Sequence, residues 1–332
     1  MMRILASTLL GFISLAFSAT GPSTKPPEWP PARQNIGTFS IAAYDPATGE
    51  LGVAVASRFF AVGTVVPWAK AGVGAVATQA FANTSFGPRG LKLLAQGMSP
   101  EAALKKLLES DDHPERRQVG MVAAGGQSVT YSGKECLSWA GGRHGPNYAC
   151  QGNILAGPKV VENMEKAFLN TRGSLAERLF AALSAGNAAG GDARGKQSAA
   201  LLVVKEKGGY GGYTDRYIDI RVDDSPQPFK ELKRLLDKAM VNAYWNQGWT
   251  AYTEKRYQDA LNWQEKTIKL EPENPEILYD LAIIRSWAGK TSGALQALQK
   301  AIRLNPGLKK SARSDKDLSP LRKLAKFKKL IQ

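Results

Sequence analysis

The sequence predicts an α+β chain: a four-layer αββα sandwich, in which two stacked sheets carry helices on both outer faces, followed by an all-α tetratricopeptide-like helical domain. Strand-like and helix-like segments alternate through residues 37–224 as strands, helices, strands, helices, strands, with mostly short links that favour antiparallel pairing. Beyond Pro226 the pattern is helical only. There Pro272 and Pro306, Ala260 and Ala294, and Leu261 and Leu295 each recur thirty-four residues apart, the period of a tetratricopeptide repeat.

The chain is organised around 37–58. Thr38, Ser40, Ala42 and Tyr44 alternate with Phe39, Ile41 and Ala43, the period of a strand. Asp45-Pro46-Ala47-Thr48-Gly49 supplies a turn, since proline presets φ and glycine accepts positive φ. Residues 51–56 return as a second apolar strand, so the segment reads as a hairpin. A glycine-rich strand is expected over 72–79, after an apolar connection through Pro67 and Trp68. One helix follows Phe86 and ends near Gly97; another starts at the Ser99-Pro100-Glu101 cap and runs to 108.

Strands are predicted at 117–124 and 127–131 around Gly125-Gly126, and a loop carrying both cysteines comes next. Amphipathic helices are expected at 158–170 and 174–184, followed by a glycine-rich loop at 186–195. Strands at 199–205 and 217–222 flank a second glycine-rich turn. In the helical part, the first repeat carries Tyr244, Gly248 and Ala260, and the second Leu278, Ala282, Ala294 and Ala301. Gln264 and Thr267 depart from the repeat pattern. Two repeats bury little alone, so 229–239 and 321–330 are expected to act as end helices.

The N-terminus has Arg3, an apolar run over 4–17 and small residues at Ala16 and Ser18, the pattern of a secretory signal spanning 1–19. Residues 20–36 are proline-rich and read as a tether or pro-segment. The domains expected are therefore the signal, the tether, the sandwich at 37–224 and the repeats at 225–332. Export to the periplasm or beyond is the predicted localisation.

Of 332 residues, 44 are Lys or Arg and 29 Asp or Glu, a formal charge of +15. An exported chain with this field meets anionic envelope surfaces rather than nucleic acid. The excess is concentrated at the C-terminal end, where ten Lys or Arg stand against two Asp from Arg303 onward. In an oxidising compartment Cys136 and Cys150, fourteen apart, are candidates for a disulfide, with two unpaired thiols as the competing reading. His113 and His144 are the sole histidines and neither has a partner at ligand spacing, so no metal or cofactor is expected.

The segments Thr38-Phe-Ser-Ile, Leu51-Gly-Val-Ala-Val-Ala-Ser-Arg, Ala75-Val-Ala-Thr-Gln-Ala, Gln151-Gly-Asn-Ile-Leu and Gly190-Gly-Asp-Ala-Arg-Gly-Lys-Gln-Ser together resemble the family known as domain of unknown function 1028, over about 36–224. That family is grouped with the N-terminal nucleophile hydrolases, whose fold is an αββα sandwich. The resemblance implies cleavage between Gly37 and Thr38, freeing the Thr38 amine to act as base for its own hydroxyl in attack on an amide. Gly37 suits such a step because it has no side chain.

The resemblance also implies a catalytic role for Lys70, thirty-two residues after Thr38, where proteasome-type members hold a lysine. Ala54 stands where those members carry a carboxylate. Arg58 is a candidate for oxyanion stabilisation and Asn83 for an amide donor. Ser57, Gln79, Asn153, Asp192, Arg194 and Gln197 are the candidate substrate-binding residues, the last three on one short loop. His144 reads as a solvated loop residue. Some relatives carry a peptidoglycan-binding module, which makes a peptide or cell-wall fragment the candidate substrate. The competing reading is a non-catalytic envelope-binding protein whose repeats recruit a protein partner.

Overall fold

The first hairpin forms where the alternation places it. Strand β1 (Thr38–Tyr44) pairs antiparallel with β2 (Leu51–Ser57). Between them Asp45 accepts bonds from the Ala47 amide at 3.1 Å and the Thr48 hydroxyl at 3.1 Å, and Gly49 takes φ +74°. The computed structural model describes residues 37–332; the expected signal peptide (1–19) and tether (20–36) lie outside the described residues.

The other strands are β3 (Pro67–Lys70), β4 (Gly74–Ala80), β5 (Arg117–Ala123), β6 (Ser128–Ser132), β7 (Gly141–Gly145), β8 (Tyr148–Asn153), β9 (Ser198–Val204) and β10 (Arg216–Val222). They make a six-stranded sheet in the order β10-β9-β2-β1-β8-β7 and a four-stranded sheet in the order β3-β4-β5-β6. The pairings in both are antiparallel. Helices α1 (Phe86–Ala95) and α2 (Pro100–Glu109) bury Phe86, Leu94, Leu104 and Leu107 against Val76, Val119 and Met121 of the smaller sheet. Helices α3 (Lys159–Asn170) and α4 (Leu175–Ala188) cover Phe39, Ile41, Leu201 and Val203 of the larger one. Leu175, Leu179 and Leu183 of α4 are fully buried there, each contributing about 2 kcal/mol of apolar burial.

The facing sides of the two sheets enclose a layer whose two ends differ in chemistry. At one end Ala42, Leu51, Val53, Ala75, Val122 and Leu202 form a dry core. At the other end the same strand positions carry Thr38, Ser40, Gln79, Gln118, Gln151 and Asn153, all buried. Each of these side chains is hydrogen-bonded, as burial requires.

Two predicted loops contain three strands. β3 lies in the connection through Pro67 and Trp68, and β7 and β8 lie in the stretch expected to loop between the cysteines. β7 hides behind the glycines of Gly-Gly-Arg-His-Gly, and β8 behind inward-facing Gln151 and Asn153, which break the apolar pattern a strand normally shows. The cysteine pairing is corrected with them. Both thiols are free: Cys150 faces the helical layer beside the Val161 carbonyl at 3.9 Å, while Cys136 sits 3.4 Å from the Arg117 carbonyl at the start of β5. The two belong to different layers of the fold, so they cannot meet.

Helix α4 continues through Gly186 into the expected glycine loop, where Met164 and Phe39 pack so closely that an added Cβ would lie 2.7 Å and 3.2 Å from them. The all-helical remainder comprises α5 (Pro228–Thr253), α6 (Tyr257–Leu270), α7 (Pro275–Trp287), α8 (Thr291–Leu304), α9 (Leu308–Ser314) and α10 (Ala325–Ile331). The end helix expected at 229–239 is instead the first part of the 26-residue α5. Leu232, Leu236 and Met240 pack on the larger sheet, and Trp249, Ala251 and Tyr252 enter the helical core. No proline or glycine intervenes between 229 and 247 to stop the helix. The segment expected as a helix over 321–330 is divided, with a 3-10 turn at Lys316–Leu321 preceding α10. Gln264 and Thr267 are fully buried; Gln264 Nε2 donates to the Ile277 carbonyl at 3.2 Å and the Thr267 hydroxyl to the Trp263 carbonyl at 3.0 Å, while Gln264 Oε1 has no partner among the described residues.

Candidate functional site

Thr38 opens β1 at the polar end of the inter-sheet layer. Its register partners are Ser57 of β2 on one side and Asn153 of β8 on the other, so strand pairing alone brings three candidate residues together. The Thr38 hydroxyl donates to Ser57 Oγ at 3.0 Å, and Ser57 Oγ donates in turn to the Gly37 carbonyl oxygen. Arg194 Nη2 donates to the same oxygen at 3.1 Å. The carbonyl joining Gly37 to Thr38 therefore has two donors aimed at it, and the Thr38 hydroxyl begins a chain that ends on that oxygen.

Asp192 organises the other side. Its carboxylate accepts from Arg194 Nε at 3.0 Å and Nη2 at 2.7 Å, a bidentate pair, and from the backbone amides of Arg58 and Arg194 at 3.0 Å each. Its side chain is 1% exposed, so those four N–H groups replace its hydration. The loop bearing it is tied to the end of β8 by a bridge between Leu155 and Asp192 and by the bond from the Ala193 amide to Ile154 O at 2.9 Å. Arg58 is exposed and lies over this loop, its Nη1 donating to the Arg194 carbonyl at 2.6 Å.

Beneath Thr38, Gln79 Nε2 donates to the Thr38 carbonyl at 3.2 Å and to Gln118 Oε1 at 2.8 Å. Asn153 Nδ2 donates to the same Gln118 oxygen at 2.8 Å. Gln118 Nε2 spends its protons on Gly152 O and Ser132 Oγ. Gln118, absent from the sequence-predicted set, is thus the centre that joins Gln79 to Asn153. Ser40 and Gln151 complete the network. The signal for these residues was present in the sequence as amides at inward positions of otherwise apolar strands.

Thr38, Ser57, Gln79, Asn153, Asp192, Arg194 and Arg58 are brought together; Lys70, Asn83 and Gln197 are not brought in the same way. Lys70 is an exposed residue paired with Gly74, whereas Gln79 marks the Thr38 end of β4, about 17 Å of strand away. A lysine there cannot act on the Thr38 amine. Asn83 turns away as well: its Nδ2 donates to Asp111 at 2.6 Å and its Oδ1 accepts from the Ser85 amide and hydroxyl at the start of α1. Burial would push the Asp111 carboxyl up, but Arg117, Asn83 and the His113 amide outweigh it and hold it below the usual carboxylate range. Gln197 supports the site through its backbone, the amide donating to Ser57 O at 3.1 Å, while its side chain faces Asp224. The hydroxyl of Thr38 does not look onto an open hollow, because Thr38 is 0% exposed.

Residues 38–232 match the family of unknown function DUF1028, and 251–311 match a tetratricopeptide repeat family. A crystal structure of a protein from Silicibacter pomeroyi assigned to DUF1028 is similar at 30% identity and a TM-score of 0.56, over 61% of this chain and 89% of that one. No curated protein matches. The site described above lies within the matched segment, apart from the Gly37 carbonyl at its edge, and on that match the chain belongs to the DUF1028 family, with tetratricopeptide repeats following it.

Proposed function

We propose that this chain is an N-terminal nucleophile hydrolase-like protein that cuts its own Gly37–Thr38 bond and then acts as an exported amidohydrolase on a peptide or cell-wall amide. The observation that carries the proposal is the double hold on the Gly37 carbonyl oxygen by Ser57 and Arg194, with the Thr38 hydroxyl bonded to Ser57. Donors on a carbonyl oxygen stabilise the negative charge that grows there when a nucleophile adds to the carbon. As Thr38 Oγ attacks, its proton passes to Ser57 Oγ while the Ser57 proton moves toward the carbonyl oxygen. Collapse then re-forms the C=O bond, passes that proton to the Thr38 nitrogen and breaks the C–N bond, leaving Gly37 as an ester on Thr38 with the amine free. Water releases Gly37, and the amine becomes the base that activates the hydroxyl for an external amide.

The packing of α1 and α2 on one sheet and of α3 and α4 on the other supports an αββα sandwich of the N-terminal nucleophile type. Within the proposal, residues 1–19 direct export to the periplasm or beyond, 20–36 form the removable segment, 37–224 carry the chemistry and 225–332 recruit a protein partner. The basic C-terminal end favours an anionic envelope surface near that partner. The test is the intact mass of purified wild type beside Thr38→Ala. A wild-type chain starting at Thr38, with the variant left uncut, supports the proposal, and a wild type that retains Gly37 under every condition removes it.

A second reading keeps the sandwich as an inert binding module, favoured by the complete burial of Thr38. The same mass measurement separates the two.

A further inference from the structure

We infer that the acyl group accepted at Thr38 carries no side chain on its α-carbon, so that the substrate class is a glycyl amide or its equivalent, with Asp192 setting the limit. This rests on the reading of Thr38 as acyl acceptor. A Cβ built on Gly37 would lie 2.7 Å from Asp192 Oδ1, 2.8 Å from Cγ and 2.8 Å from Oδ2. At Gly152 and Gly186 such approaches are to flexible chains, Leu155 Cδ1 and Met164, whereas at Gly52, Gly74 and Gly133 they are to backbone oxygens of the fold itself. Asp192 lacks the freedom of the flexible chains, because four N–H groups from Arg58 and Arg194 fix both of its oxygens in a buried position.

The geometry of the resting chain transfers to catalysis through a chemical identity. When Thr38 Oγ bonds to the Gly37 carbonyl carbon and the C–N bond breaks, the product is an ester on Oγ beside a free amine. An external glycyl amide gives the same species: the Oγ–C bond forms, the amide C–N bond breaks, and the hydroxyl proton ends on the leaving amine. Water then hydrolyses the ester, returning the hydroxyl and releasing the acid. The acyl α-carbon of that intermediate occupies the place of the Gly37 α-carbon, where a methyl group and the Asp192 carboxylate would overlap.

The experiment compares N-acetylglycine and N-acetyl-L-alanine 4-nitrophenyl esters as acyl donors to the purified protein, with Thr38→Ala as the blank. A Thr38-dependent kcat/KM at least about tenfold higher for the glycyl donor is expected, the scale of discrimination for one methyl-sized group. Asp192→Ala should slow both donors yet bring the ratio toward one, and the isosteric Asp192→Asn should keep the ratio; general damage to the fold would change rates without changing preference. Equal Thr38-dependent rates for the two esters overturn the inference and leave the nucleophile in place. Absence of any Thr38-dependent acyl transfer overturns both.

Discussion

Replacement of Ser57 by alanine removes the atom through which the Thr38 hydroxyl and the Gly37 carbonyl are joined. Ser57 is 1% exposed, and its hydroxyl accepts from Thr38 at 3.0 Å while donating to Gly37 O. The variant leaves the buried Thr38 hydroxyl without its acceptor, which costs about 1–3 kcal/mol of stability. Its effect on self-cleavage is separate. Arg194 Nη2 stays on the carbonyl oxygen at 3.1 Å, so the carbonyl keeps one of its two donors. Loss of a single donor of this kind slows acyl chemistry by about a hundredfold to a thousandfold, roughly 3–4 kcal/mol in the barrier. The assay is a time course of intact mass for wild type and S57A at a temperature where denaturation curves show both folded. Cleavage of S57A at the wild-type rate refutes the reasoning, because the hydroxyl then carries neither the proton nor the developing charge.

Two further outcomes are expected. Asp280 accepts from Trp245 Nε1 at 2.7 Å and Trp249 Nε1 at 2.9 Å; burial pushes its carboxyl up, those two bonds oppose the rise, and Asp315 and Glu276 add to it, leaving it at about 6. The unfolded carboxyl ionises near its ordinary value of 3.8, so between there and about 6 the folded state holds the extra proton and stability falls as pH rises. Urea titrations should show a loss of roughly 2–3 kcal/mol across that window in wild type and its absence in Asp280→Asn; an unchanged slope in the variant counts against this assignment. Cys150, whose thiol burial pushes up to about 12, and Cys136, also raised by burial, should resist a thiol-reactive dye in the native protein and give two reactive thiols in denaturant without reductant. A denatured count of zero would mean that the pair is oxidised.

The sequence by itself determined the parts whose local pattern and tertiary fate agree. The Thr38–Ser57 hairpin, the Ser99 helix cap and the thirty-four-residue period are written in neighbouring residues, and the Ser99 side chain does accept from the Ala102 amide. The crowding of polar groups on one short loop also selected Asp192 and Arg194, which lie more than 150 residues from Thr38. Lys70 was misplaced because spacing along a chain carries no information about which end of a strand a residue occupies, and Asn83 because its amide serves the turn into α1 and Asp111 instead.

Only the tertiary structure decided which polar residues are inside. A buried amide costs stability unless its partners are present, and those of Gln118 come from β4, β6 and β8, none adjacent to it in sequence. For the same reason β8 reads as a loop until Thr38 and Gln118 stand opposite its Asn153 and Ser40 opposite its Gln151. The grip on the Gly37 carbonyl is likewise invisible in the sequence, since it arises when sheet pairing sets Ser57 beside Thr38 and the Asp192 loop closes over both.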